Sequence, residues 1–236
     1  MRSFSLLAYC SIALITASVQ GLSWKQVMRR KYVKLFVGNI TDTYKERKGF
    51  TALSLDLDDQ KHILHNILTP MPIPDNSVDI YQSEDVFEHV AYDQLPSVIN
   101  EIHRVLKPGG LLRISVPDYR CDILYDRCLK DDQGKILFDA GGGGKYVDGQ
   151  VVEGGHVWFP VIELVRSLLE KTLFATRGTI EYLHYYDESG FSHMHPIDYK
   201  KGFIKRVPDH DVRVQNPVRV MSIVVDAYKG EASESL

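Results

Sequence analysis

Glu88-His89 and the run Gly154-Gly155-His156-Val157-Trp158-Phe159 carry the side chains of this 236-residue chain best suited to moving a proton. An imidazole changes charge near neutral pH, so a histidine within reach of a hydroxyl or amine can take its proton while a new bond forms. His89 follows an extended run, at the point where open α/β sheets place ligands. A histidine at a helix start can equally be spent on backbone hydrogen bonds. His156 stands between a glycine-rich stretch and an aromatic pair, which suits recognition of an acceptor molecule. Asp56 offers a different chemistry, since it closes the apolar run Thr51 to Leu57 and lies eighteen residues after Gly38. An acid at the tip of a second strand can accept hydrogen bonds from both hydroxyls of a ribose, with Asp58 as its substitute. The plain alternative is a solvated acidic turn. His193-Met194-His195 would set two imidazoles on one face of a strand, but no cysteine or acid stands at a zinc-like spacing, and no metal is expected.

The elements that must position these residues centre on the stretch from Asp75 to Asp118. Ser77 to Gln82 reads as a strand and Gly110 to Val116 as another. Between them Val98, Ile99, Ile102, Val105 and Leu106 recur at three- and four-residue spacing, the period of an amphipathic helix. Lys107-Pro108-Gly109-Gly110 ends that helix, because proline cannot continue it and glycine permits left-handed angles. A strand, a crossover helix and a strand make a parallel βαβ unit, so the class is α/β. Further strands are expected at Tyr32 to Val37, Thr51 to Leu57, His62 to Leu68, Thr179 to Tyr186 and Val218 to Tyr228. A second helix is expected over Phe159 to Phe174, with Pro160 in its first turn.

Asp75-Asn76-Ser77-Val78-Asp79, Glu88-His89-Val90, Arg104-Val105-Leu106-Lys107-Pro108-Gly109-Gly110 and Val116-Pro117-Asp118, in this order, resemble the second half of the class I S-adenosylmethionine (SAM)-dependent methyltransferases of the type 11-like group. The resemblance implies a Rossmann-like sheet, mostly parallel with an antiparallel edge hairpin, and SAM as cofactor. It implies methyl transfer to a small-molecule or glycan-like acceptor, with a non-catalytic binding or partner module of the same fold as the alternative. Cofactor contacts are implied at Gly38 and Asn39 after the first strand, at Asp56 and Leu57 after the second, and at Gln82 and Ser83 in the fourth. In the family an Asp before an LPF-like segment meets the adenine amine. Asn66, before Met71-Pro72-Ile73-Pro74, holds that place and keeps a carbonyl acceptor. Ile67 either flanks the adenine or packs in the core. His89 and His156 are the catalytic candidates. Where the family shows GxGxG, this chain has only Val37-Gly38-Asn39-Ile40.

The length allows one α/β domain plus a short extension and leaves no room for a second. A net charge of -3, with acids and bases interspersed, gives no basic stripe, so nucleic acid is not an expected partner. Phe4 to Val19 is apolar, follows Arg2 and has the proportions of a signal-peptide core. Met1 to Leu22 is therefore expected to stand outside the fold, as a secretory or organellar leader or an uncleaved anchor, and membrane contact is expected only there. Otherwise the protein is expected in the cytoplasm. The domain is expected over residues 23–230, with a glycine-rich lid or disordered insertion at about 130–155 and a polar tail at 231–236. Cys121 and Cys128 lie seven residues apart, about two helical turns or roughly 10 Å, which is too far for a disulfide.

Overall fold

The computed structural model describes residues 21–40 and 45–231. In chain order its strands are β1 (Lys34–Val37), β2 (Phe50–Ser54), β3 (His62–Leu64), β4 (Val78–Glu84), β5 (Leu106–Pro117) and β6 (Cys128–Lys130). They continue with β7 (Ile136–Asp139), β8 (Lys145–Val147), β9 (Gln150–Val152), β10 (Gly178–Tyr186), β11 (Ser192–Met194) and β12 (Ser222–Lys229). The helices are α1 (Trp24–Val27), α2 (Leu95–Val105), α3 (Asp122–Asp126), α4 (Ile162–Glu170) and α5 (Leu173–Arg177).

Eight strands form one sheet in the order β11-β10-β12-β5-β4-β1-β2-β3. From β3 to β5 all neighbours are parallel, while β12, β10 and β11 add on antiparallel. The fold is thus the α/β Rossmann-like sheet expected, with a short third strand, β11, beyond the edge hairpin. Strand order reverses between β1 and β4, and ligands of open α/β sheets bind outside the carboxyl ends at such a point.

The β4–α2–β5 unit shows why this sequence folds as it does. Leu95, Val98, Ile99, Ile102 and Val105 form the buried stripe of α2, and Pro96 sits in its first turn. Each such side chain contributes roughly 1.5–3 kcal/mol on burial. The helix stops where Leu106 turns extended, and Gly109 takes φ +71. Residues 107–110 bulge, because Val78 pairs with Leu106 but Ile80 with Leu111. Lys107 spans the bulge to both carboxylate oxygens of Asp79, each at 2.8 Å.

The two sheet faces are covered differently. Leu35, Val37, Tyr81, Leu112, Ile114 and Val225 point to one face and pack with α2, α4 and α5 in the main apolar cluster. Phe36, Ala52, Ile80 and Leu111 point to the other. There, among the described residues, no helix connects β1 to β2 or β2 to β3. The chain between β11 and β12 covers that face as an irregular strap. Its Ile204 and Val207 pack on Leu183 and Val224. Buried polar groups hold the rest. Arg113 pairs with Asp226 through Nε and Nη2 at 2.7 and 2.6 Å, and its Nη1 donates to the carbonyls of Asp198 and Gly202 at 2.9 and 2.7 Å. Arg47 pairs with Glu84 and donates to the Phe203 carbonyl at 3.1 Å.

Three stretches stand as follows. The 130–155 stretch holds two small antiparallel hairpins, β6–β7 and β8–β9, and buries Asp139 and Gly142. Cys121 precedes α3 and Cys128 opens β6, so they do not share a helix, and both are free and buried. Leu22 belongs to the fold, since its N–H donates to the Asp59 carbonyl at 2.9 Å and its side chain packs on the core. The rest of the expected leader, residues 1–20, and the tail beyond 231 lie outside the described residues. Within them no helix is long and apolar enough to cross a membrane.

Candidate functional site

A cavity of about 680 Å³ opens at the carboxyl ends of β1, β2, β3 and β4. Its walls include Gly38, Asn39, Asp56, Asn66 and Ile67, with His89 and Gly154 on one side. Among the described residues no helix directly follows the loop after β1. The Gly38 N–H donates to the Leu53 carbonyl at 2.9 Å, and the Ile40 N–H donates to His62 Nε2 at 3.3 Å. His62 Nδ1 in turn meets Asp59 at 2.9 Å. Gly38 takes φ +109, where a side chain is strained, though a Cβ there would find its nearest neighbours, Phe36 and Val86, at an ordinary 3.5 Å. Gly38→Ala is therefore expected to cost about 1–3 kcal/mol through backbone strain, which a urea denaturation midpoint would register.

Asp56 is exposed in the cavity, and one of its oxygens accepts from Ser54 Oγ at 2.7 Å and Asn39 Nδ2 at 3.2 Å. Those two bonds, the Ser54 hydroxyl first, hold its carboxyl below the usual range. An ionised carboxylate with an oxygen to spare is a good acceptor for ligand hydroxyls.

Beside the cavity lies a cluster with a different character. Glu88 and His89 occupy the turn after β4, and His156 arrives from the segment that follows β9. One donor atom from each lies within 4.8 Å of the others. The Val157 N–H donates to the Glu88 carbonyl at 2.9 Å and Trp158 Nε1 to the Phe87 carbonyl at 2.9 Å, which docks the loop on the turn. Burial, then the neighbouring His89, pushes His156 down to about 4. Complete burial, then the charge of Asp85, pushes Glu88 well above the carboxylate range.

Three known proteins can be set beside this chain. It is 41% identical over 56 residues to a probable S-adenosylmethionine-dependent methyltransferase of Mycolicibacterium smegmatis, covering 24% of this chain and 21% of that protein. It is 34% identical over 105 residues to a sterol 24-C-methyltransferase of Pneumocystis carinii, covering 43% and 22%. The chain thus spans about a fifth of the length of these curated relatives. Among solved structures, a SAM-dependent methyltransferase from Methanosarcina mazei aligns over 86% of this chain and 95% of its own, at 12% identity and a TM-score of 0.47. Residues 23–114 match the family described as Methyltransferase domain. Over part of its length the chain is thus similar to SAM-dependent methyltransferases.

In this fold the residues singled out from sequence fall into two groups. Gly38, Asn39, Asp56, Asn66, Ile67 and His89 all line the cavity. Leu57, Gln82, Ser83 and His156 do not. Gln82 belongs to the strap-covered face, where its Nε2 donates to the Phe203 carbonyl at 2.6 Å. Ser83 points oppositely and is fully buried. Leu57 is drawn into the turn by its N–H, which donates to Ser54 Oγ at 3.0 Å. His156 is buried behind His89, the two rings meeting edge to face at 4.6 Å. Tyr119 and Asp139, which sequence reasoning passed over, stand behind His156. The Tyr119 hydroxyl contacts His156 Nδ1 and donates to Asp139 Oδ2 at 2.6 Å. The only sequence signal for them was their place beside the Val116-Pro117-Asp118 segment and the glycine run.

Proposed function

We propose that the protein transfers a methyl group from SAM to a small-molecule or glycan-like acceptor. The cavity at the carboxyl ends of β1 to β4 carries this reading. Its volume of about 680 Å³ lies within the range usual for small-molecule sites, about 300–1,000 Å³. Its residues fit the cofactor's parts. The Asp56 carboxylate suits the two ribose hydroxyls, the Asn66 side-chain carbonyl suits the adenine amine, and Gly38 and Asn39 present backbone to the cofactor without a bulky side chain.

SAM supplies an electrophilic methyl on a sulfonium. The chain's part is to align the acceptor with that methyl, keep water out and receive the acceptor's proton. At one end of the cavity stands His89, with His156 and Glu88 behind it, the cluster we assign to handling that proton.

Calorimetric titration of the full chain with SAM and with its demethylated product tests this reading, followed by acceptor panels monitored for that product. One-site, saturable binding of both is expected. A well-folded protein that binds neither at millimolar concentration would overturn it and favour a non-catalytic module of the same fold.

A further inference from the structure

We propose that Glu88, His89 and His156 bind a divalent transition-metal ion at the edge of the cavity. Hydrogen bonding sets the state of both rings. His89 Nδ1 lies 2.7 Å from the Gly154 carbonyl, which can only accept, so Nδ1 carries the proton and Nε2 is bare. The Tyr119 hydroxyl spends its proton on Asp139 Oδ2, so its contact with His156 requires the proton on Nδ1 there too. His156 Nε2, also bare, faces Glu88 Oε1 at 3.7 Å. Glu88 is fully buried, and neither of its oxygens finds a hydrogen-bond donor among the described residues.

Nitrogen lone pairs from two rings and the Glu88 carboxyl therefore converge, with no donor from any other described residue between them. A shared proton would satisfy one pair, whereas a cation satisfies all three. Two imidazoles and a carboxylate form a donor set that zinc and ferrous iron use. Tetrahedral bonds of roughly 2.0–2.1 Å place donors about 3.4 Å apart, so His156 and Glu88 need move only a few tenths of an ångström. The nearby cations are already engaged. Arg127 binds Asp139 at 2.8 and 2.6 Å, and Arg206 lies 3.1 Å from Asp85.

The surroundings are built as metal sites usually are, with each ligand imidazole anchored through its other nitrogen. Asp139, fixed by Arg127 and by the Gly141 N–H at 2.8 Å, holds Tyr119, which holds His156. A Cβ on Gly142 would lie 2.6 Å from the His156 ring, so glycine is what lets the ring seat here. His89 and Gly154 line the cavity, so an open coordination position would face the acceptor. There the ion would bind an acceptor oxygen and ease loss of its proton to water at the cavity mouth. That catalytic role rests on the methyltransferase reading, but binding of the ion does not.

The test uses tag-free full-length protein, stripped with a chelator. It is titrated with Co²⁺ for ligand-field absorption and with Zn²⁺ against a chromophoric chelator. One equivalent is expected, with Glu88→Gln and His89→Ala each weakening binding roughly a hundredfold or more. Tyr119→Phe should weaken it roughly ten- to a hundredfold while the fold is kept. His193→Ala should change nothing, and far-ultraviolet circular dichroism checks folding throughout. Failure of the wild type to bind Zn²⁺, Co²⁺, Mn²⁺ or Fe²⁺ at millimolar concentration overturns the proposal, as does undiminished binding in folded Glu88→Gln and His89→Ala. SAM titrations run separately. Metal without SAM binding would sink only the methyltransferase reading, and SAM without metal binding only this one.

Discussion

Arg113→Met is expected to lower the unfolding free energy by about 3–5 kcal/mol, because it strands a buried carboxylate. Arg113 is wholly buried, and all four of its hydrogen bonds go to Asp226 or to the carbonyls of Asp198 and Gly202. Asp226 is 2% exposed, so water cannot replace the lost guanidinium. The strap loses two of its backbone anchors in the same step. A fall in the urea midpoint at unchanged slope is the expected readout. The double variant Arg113→Met/Asp226→Leu should recover much of the loss, because an apolar pair of similar volume avoids the desolvation that the ion pair had to overcome. If the single variant unfolded at the wild-type midpoint, the buried pair would not be what holds the strap to the sheet.

Asp56→Ala should weaken SAM binding roughly ten- to a hundredfold. The carboxylate is exposed in the cavity and shares one oxygen between Ser54 and Asn39, which leaves the other for a ligand hydroxyl. Asp58 is exposed too but does not line the cavity, so Asp58→Ala should do much less. Calorimetry on both variants, with unfolding midpoints alongside, makes the comparison. Equal affinities for Asp56→Ala and wild type would remove the ribose role from this residue.

The β4–α2–β5 unit was legible in the sequence because its signals agree at every level. A helical period, a Pro-Gly-Gly stop and flanking apolar runs leave one arrangement. Gly38, Asp56 and Asn66 could be located at the cavity because each follows a recognisable strand, and strand ends are where such sheets gather ligands. Gln82 and Ser83 could not be placed this way. Alternation sends them to opposite faces of β4, and only the strap shows which face is covered by what. The cluster around Glu88 was equally hidden, since His156 is 68 residues away from it in the chain. The fold joins them through a loop docked by backbone hydrogen bonds that leave no trace in side-chain spacing. The strap and the two small hairpins lack periodic apolar patterns, so the sequence offered length and glycine content there and little else.

The strap's attachments have a consequence for how the chain can vary. Arg113, Gln82 and Arg47 grip it by the main-chain carbonyls of Asp198, Gly202 and Phe203, and Glu84 takes the N–H of Lys205 at 2.6 Å. Much of its path is thus set from outside the strap, through its main chain. Substitutions at its exposed positions should leave the path intact, whereas Ile204 and Val207 are fully buried and a Cβ on Gly202 would lie 2.2 Å from Gln82 Oε1. A segment so held can diverge in surface chemistry between lineages while the sheet beneath it stays the same.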